Sequence, residues 1–142
     1  MTERWSNDQI EAVVRCHVAR LFSTRMSNTL RLRVEVRSEA ILTDCRGTAK
    51  WTKIQDHSRK EYTIRVRKNL DGPEMDLTIA HELVHVLQYA EGRLRHGGLA
   101  GESGWFWKPT REGAAQFYPY GLPWADRPWE QEACRISKEV SA

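Results

Sequence analysis

Two histidines and a glutamate at close spacing are the residues best suited to chemistry in this chain of 142 residues. His81, Glu82 and His85 form the pattern His-Glu-Leu-Val-His, with uncharged residues on both sides. On a helix, residues i and i+4 lie on the same face, so both imidazoles can bind one metal ion. Neutral imidazole suits Zn²⁺, and a carboxylate beside that ion can accept a proton from the water it activates. The spacing therefore predicts a zinc site with Glu82 as general base.

A catalytic zinc ion usually has three protein ligands, and the sequence offers four candidates for the third. They are His96, Glu112, Glu130 and Glu132. We favour Glu130, because it is expected on a helix after a proline-rich connection, and a helix holds a ligand more firmly than a loop. His96, in Arg-Leu-Arg-His-Gly-Gly, falls in a segment with the composition of a loop. The other three residues stay open as alternatives.

A long helix must present the His-Glu-Leu-Val-His pattern. The run MDLTIAHELVHVLQYAEG has the strongest helical periodicity in the chain. Asp71 and Glu74 have the spacing of a capping box that begins a helix, and Gly92 is expected to end it. The predicted apolar stripe consists of Leu77, Ala80, Val84, Leu87 and Ala90.

An N-terminal helix is also predicted. Ser6 and Gln9 have the spacing of a capping box, and apolar residues follow at helical spacing up to about Ser23. His17 lies within that apolar stripe. An isolated histidine there is interpreted as a hydrogen-bonded core residue and not as a metal ligand.

Three segments in the middle of the chain are expected to be strands: in two of them apolar and polar residues alternate, and the one between is a weaker strand. Together they predict a small antiparallel sheet. They begin at Thr29, at Gly47 and at Glu61, the last ending at Lys68. In the third segment Tyr62, Ile64 and Val66 are expected to face inward. The outward residues of the first and third segments are largely arginine. We interpret this basic face as solvated surface in preference to a nucleic-acid site.

The segment after Gly92 combines glycine, proline and aromatic residues. Eight of the thirteen aromatic residues lie between Trp105 and Trp129. The composition predicts a long loop whose rings form a satellite core, a wall of the substrate cleft, or both. A final short helix is expected to begin at about Pro128.

Composition indicates one domain over residues 1–142, with a net charge of +3. The chain lacks an apolar run long enough for a membrane span and an apolar signal core at its N-terminus, so we expect a cytoplasmic protein without a membrane partner. Cys16, Cys45 and Cys134 are widely spaced and are expected to be reduced and buried.

The run TIAHELVHVL is similar to the extended signature of zincin metallopeptidases. The order of helix, small sheet and His-Glu-x-x-His helix resembles the minimal cores of SprT-like and ImmA/IrrE-type enzymes and of small phage-encoded ones. Glu112 and Glu130 each stand in a Glu-x-x-Ala pattern that resembles the ligand glutamate of the gluzincin branch. Metzincins have a histidine six residues after the second ligand, where this chain has Glu91, so that branch does not fit.

This resemblance implies an α+β, zincin-like fold and zinc-dependent hydrolysis of peptide bonds, in a protein of phage or prophage origin. Zn²⁺ would be bound by His81, His85 and Glu130, with Glu82 as the catalytic base and a peptide or protein as substrate. In zincins an edge strand commonly aligns the substrate. The expected strand here is 61–68, where Arg65, Arg67 and Lys68 would favour acidic peptides.

Supporting roles and one alternative function complete the predictions. Glu132 or Asp126 could orient a ligand histidine, and Tyr118, Tyr120 or Arg127 could donate a hydrogen bond to the developing oxyanion. The alternative is a zinc-stabilised binding or regulatory module without turnover, which could bind nucleic acid through the basic sheet face. The glutamate beside the metal ligands speaks against it, since a purely structural site has no use for a free carboxylate.

Overall fold

The computed structural model describes residues 6–29, 31–37, 47–53, 61–67 and 72–141. Within these ranges the chain is α+β, as predicted, with four α-helices and two three-stranded sheets. The helices are α1 (Asn7–Leu21), α2 (Thr24–Thr29), α3 (Gly72–Ala90) and α4 (Pro128–Ser141). The strands are β1 (Arg31–Arg37), β2 (Gly47–Lys53), β3 (Glu61–Arg67), β4 (Leu94–Leu99), β5 (Glu102–Trp107) and β6 (Gln116–Pro119).

Helix α1 begins with the predicted capping box. The Gln9 amide donates to Ser6 Oγ at 3.1 Å, and the Ser6 amide donates to Gln9 Oε1 at 2.8 Å, so two helix-end donors are satisfied. The interpretation of His17 is confirmed, because its ring is buried and Nε2 lies 2.8 Å from Asp76 Oδ1. That contact ties α1 to the first turns of α3. The short helix α2 had not been predicted.

The first sheet has the strand order β1-β3-β2. The predicted inward residues of β3, Tyr62, Ile64 and Val66, are all buried. The prediction of an antiparallel sheet is wrong for one of the two pairs, since β1 runs parallel to β3 and only β2 is antiparallel to it. Chain order does not specify this pairing: β2 follows β1 in the sequence but lies on the opposite side of β3.

This order also overturns the expected substrate strand. β3 is hydrogen-bonded on both sides, so its backbone has no free edge to which a peptide could add. The side chains of Arg65 and Arg67, and all of Lys68, lie outside the part of the chain that the structure describes.

Helix α3 is buried on nearly every side, because it packs on α1 and the first sheet and also on α4. Its core-facing stripe is Met75, Ile79, Leu83, Val86 and Ala90. The predicted stripe is confirmed in part: Ala80, Val84 and Ala90 are buried, and Leu87 is partly buried against this core. The predicted first residue of the capping box, Asp71, lies outside the described residues.

The end of α3 is as predicted. Gly92 has φ +73°, and its amide donates to the Tyr89 carbonyl at 3.0 Å. The Arg93 amide donates to the Gln88 carbonyl at 2.9 Å. These two bonds form a Schellman motif, which needs a residue that tolerates the left-handed conformation.

The segment predicted as a loop forms a second antiparallel sheet, in the order β4-β5-β6. Its glycines serve close packing. A Cβ on Gly104 would lie 2.1 Å from the Tyr118 carbonyl oxygen, and one on Gly97 would lie 2.7 Å from the Phe106 ring. The prediction of a loop from glycine composition is therefore wrong, because these glycines let strands and rings approach each other closely.

A second core joins this sheet to α4, which begins at Pro128 as predicted. Leu94, Trp107 and Trp129 are its buried residues, with the rings of Trp105 and Tyr118 packed around them. The predicted satellite core is confirmed, but it packs on a sheet.

The expectation for the cysteines holds only in part: Cys16 and Cys134 are free, yet Cys16 is exposed and Cys134 is half-buried, while Cys45 lies outside the described residues. Across the described ranges, each helix is too short or too polar to cross a membrane.

Candidate metal centre

Three side chains from two helices converge on one point. α3 contributes His81 and His85, one turn apart, and α4 contributes Glu130 from its first turn. The two Nε2 atoms are 3.2 Å apart, and Glu130 Oε2 lies 3.5 Å from His81 Nε2. The other carboxylate oxygen, Oε1, contacts His85 Nε2. One ligand atom from each residue lies within 4.8 Å of the others, so the group could hold a metal ion.

Two separations in this group are close to those around a tetrahedral ion. Ligand atoms bound at about 2.0–2.1 Å in tetrahedral geometry lie about 3.3 Å from one another. His81 Nε2 lies 3.2 Å from His85 Nε2 and 3.5 Å from Glu130 Oε2, whereas Glu130 Oε1 is in closer contact with His85 Nε2. Two imidazoles and one carboxylate would leave a fourth position for a water molecule or a substrate.

Glu82 lies beside this group without being part of it. The residue is 4% exposed, and its Oε2 has no hydrogen-bond partner among the described residues. Burial raises the pKa of this carboxyl to about 7, although the charges of His85 and His81 act in the opposite direction. A buried carboxyl with an unused oxygen can both accept and return a proton near neutral pH.

His85 and Glu130, the two most buried residues of this group, stabilise opposite charges on each other. Burial acts to raise the pKa of Glu130, but hydrogen bonds from His81 and His85 outweigh it and lower that pKa to about 2. Burial acts to lower the pKa of His85, but the hydrogen bond and charge of Glu130 raise it to about 9. The pocket therefore favours an ionised carboxylate facing positive charge, which a bound cation could also provide.

Buried polar side chains lie behind the ring of His85. His85 Nδ1 lies 2.8 Å from Oε1 of Gln88, a side chain that is completely buried. Gln88 Nε2 donates to the Trp129 carbonyl at 3.0 Å and to Glu132 Oε1 at 3.2 Å. Sequence reasoning expected Glu132 to orient a histidine directly, but it acts through Gln88. The signal for Gln88 was its position three residues after His85, on the same helical face.

The surroundings of His81 are more open. Its Nδ1 lies 3.9 Å from Cys134 Sγ, and its ring stacks on Trp124 with centroids 6.4 Å apart and planes inclined by 16°. Trp124 is 51% exposed. The metal centre is therefore closed by buried side chains around His85 and bordered by a solvent-exposed aromatic ring at His81. Asp126, the other residue expected to orient a histidine, is exposed in the 3-10 turn Trp124–Asp126.

The alternative third ligands have other surroundings. Glu132 forms an ion pair with Arg93, and Glu112 is exposed. Both ring nitrogens of His96 contact tyrosine hydroxyls: Nδ1 lies 2.9 Å from Tyr120 Oη, and Nε2 lies 3.3 Å from Tyr89 Oη. Within the described ranges, none of these three belongs to the group that could hold a metal.

The predicted oxyanion donors all lie in or beside the second core. Tyr120 bonds to His96, and Tyr118 packs against Trp129. The Arg127 guanidinium lies 4.6 Å from the centroid of the Trp105 ring and donates to a backbone carbonyl. Each of the three side chains therefore already has a structural partner.

No protein-family model matches this chain, and neither a curated protein nor a solved structure matches it. The functional argument therefore depends on the geometry of the site and on the chemistry of its residues.

Proposed function

We propose that this protein is a zinc-dependent hydrolase of peptide bonds, with a zincin-like site of the gluzincin type. The observation that carries the proposal is the convergence of His81, His85 and Glu130, with ligand atoms within 4.8 Å of one another, beside a buried Glu82 whose Oε2 has no hydrogen-bond partner among the described residues. A structural metal site needs its ligands alone, whereas a hydrolytic site also needs a group that moves protons.

Each residue of the site would have a distinct role. His81, His85 and Glu130 would hold the ion, and two neutral imidazoles with one carboxylate are a donor set that catalytic zinc sites use. When bound, zinc would polarise the scissile carbonyl and make water a better nucleophile near neutral pH. Glu82 Oε2 would take a proton from the attacking water and return it to the nitrogen of the leaving amine. Its burial and raised pKa support both steps.

The decisive variant is Glu82→Gln, which removes the base and keeps the shape. We expect it to bind zinc with the stoichiometry of the wild type and to cleave a peptide library at least about 10²-fold more slowly, the usual contribution of a general base. Glu112→Gln is the matched control, since Glu112 is exposed and lies outside the metal group. That variant should retain full activity.

Two results would contradict the proposal. One is cleavage by Glu82→Gln at the rate of the wild type. The other is a zinc-loaded wild-type protein that cleaves no peptide in the library. Salt-sensitive binding of DNA by that inactive protein would instead favour the non-catalytic module.

A further inference from the structure

Four side chains form a continuous hydrogen-bonded chain that ends on a metal ligand. Arg93 Nη2 donates to Glu132 Oε1 at 2.7 Å, and Nη1 donates to Oε2 at 3.0 Å. Glu132 Oε1 accepts from Gln88 Nε2 at 3.2 Å, and Gln88 Oε1 lies 2.8 Å from His85 Nδ1. Arg93, Gln88 and His85 are all buried. We call these four residues the Arg93–His85 chain.

The donors and acceptors in the Arg93–His85 chain permit only one orientation of the Gln88 side-chain amide. A guanidinium has only donors and a carboxylate only acceptors, so the Gln88 atom facing Glu132 must be the amide nitrogen. The carbonyl of Trp129 accepts from the same nitrogen, so reversing the amide would place its oxygen against two acceptors. Gln88 Oε1 therefore faces His85, and the bond requires a proton on Nδ1.

This direction decides which nitrogen of His85 can bind a metal. A neutral imidazole with its proton on Nδ1 has its lone pair on Nε2. Nε2 is the atom that faces His81 and Glu130. The chain thus selects the one tautomer that the metal group can use.

We propose that Gln88, Glu132 and Arg93 are positioning residues that fix His85 in its metal-binding tautomer, with the direction set at Arg93. The inference rests on the metal site of the proposed function and does not depend on peptide hydrolysis. The chain also links α3, which carries both histidines, to α4, which carries Glu130. Among the described residues His81 has a weaker partner, because its Nδ1 faces the thiol of Cys134, a weak hydrogen-bonding group, at 3.9 Å.

The test measures metal affinity by competition with a chromophoric chelator, using zinc alone as the ligand. We expect Gln88→Met, which keeps the side-chain volume and removes the amide, to weaken zinc binding about 10- to 100-fold. Gln131→Met is the matched control, since Gln131 is an exposed residue of α4 that donates to a backbone carbonyl. It should bind zinc within about twofold of the wild type, the scatter expected of a surface change.

A second variant guards against misfolding. Glu132→Gln is isosteric, and it should also weaken zinc binding, because the new amide can present its own nitrogen to Gln88 and allow the reversed orientation. Long-range ¹H–¹⁵N spectra of the zinc-loaded protein supply a readout that a merely structural role would not change. We expect the Nδ1 proton of His85 to be protected from exchange in the wild type and to be lost or broadened in both variants.

The proposal is overturned if Gln88→Met and Glu132→Gln bind zinc as tightly as Gln131→Met with an unchanged Nδ1 signal. It is also overturned if the wild type binds no zinc, and the proposed function then fails with it. A wild type that binds zinc with the expected ratios but cleaves no peptide would support the positioning role and contradict hydrolysis alone.

Discussion

Trp129 connects the second core to the candidate metal centre, and its truncation is the most informative test of how the site is held. The ring is 3% exposed, and it contacts the rings of Trp105, Tyr118 and Trp107 at centroid distances of 5.0, 5.5 and 6.1 Å. The next residue in the chain is Glu130, the proposed third metal ligand. Loss of this ring should therefore reduce both the stability of the fold and the affinity for zinc.

The magnitude follows from burial and contacts. Truncation of a buried tryptophan to alanine costs about 3–5 kcal/mol, including the cavity that it leaves. Each of the three ring contacts contributes about 0.5–1.5 kcal/mol beyond simple burial, so the upper half of that range is expected. Trp124 is 51% exposed and stacks on His81 alone among the described rings, so Trp124→Ala should change stability by about 1 kcal/mol or less.

The assay is urea unfolding of the zinc-free protein followed by far-UV circular dichroism. A domain of this size has a total stability of about 5–15 kcal/mol, so Trp129→Ala could leave little folded protein, and Trp129→Phe serves as the milder variant. We expect Trp129→Phe to fall between the wild type and Trp129→Ala. If Trp129→Ala loses no more stability than Trp124→Ala, the second core does not hold α4, and the reasoning is refuted.

Two further predictions concern the ligand set and the second sheet. Glu130→Ala should reduce bound zinc from one equivalent to well below one after dialysis, whereas Glu112→Ala should retain one equivalent. Full zinc occupancy of Glu130→Ala in metal analysis would exclude Glu130 as a ligand. Gly104→Ala should destabilise the fold by about 1–3 kcal/mol or more, because its Cβ would lie 2.1 Å from the Tyr118 carbonyl oxygen. Gly98→Ala is the control, because its Cβ would lie 3.4 Å from the Glu102 carbonyl oxygen, and equal unfolding midpoints for the two variants would contradict the close approach at Gly104.

Features governed by neighbours in the chain could be predicted from sequence. The capping box at Ser6, the terminator at Gly92 and the inward residues of β3 all appear as expected. Each depends on residues a few positions apart, so the local pattern contains the information. The orientation of α3 was predicted less well, because this helix is buried on several sides and its apolar residues do not mark one face.

Pairings between distant segments could not be predicted. The central place of β3 and its parallel alignment with β1 depend on which strands meet in space, and alternation within each strand is the same for either arrangement. The second sheet was missed because its glycines and prolines are typical of loops. The need for glycine at position 104 follows from its close approach to the backbone of β6, which only the tertiary structure shows.

The metal centre divides in the same way. The sequence by itself determined that His81 and His85 share a helical face beside Glu82, because helix geometry fixes residues at i and i+4. It also favoured Glu130, through its expected place on a helix. Only the tertiary structure decided that α4 lies against α3 closely enough to bring that carboxylate to both imidazoles. It alone showed that Gln88 connects His85 to Glu132, since hydrogen bonds that cross between helices depend on packing, and packing is not encoded in any local spacing.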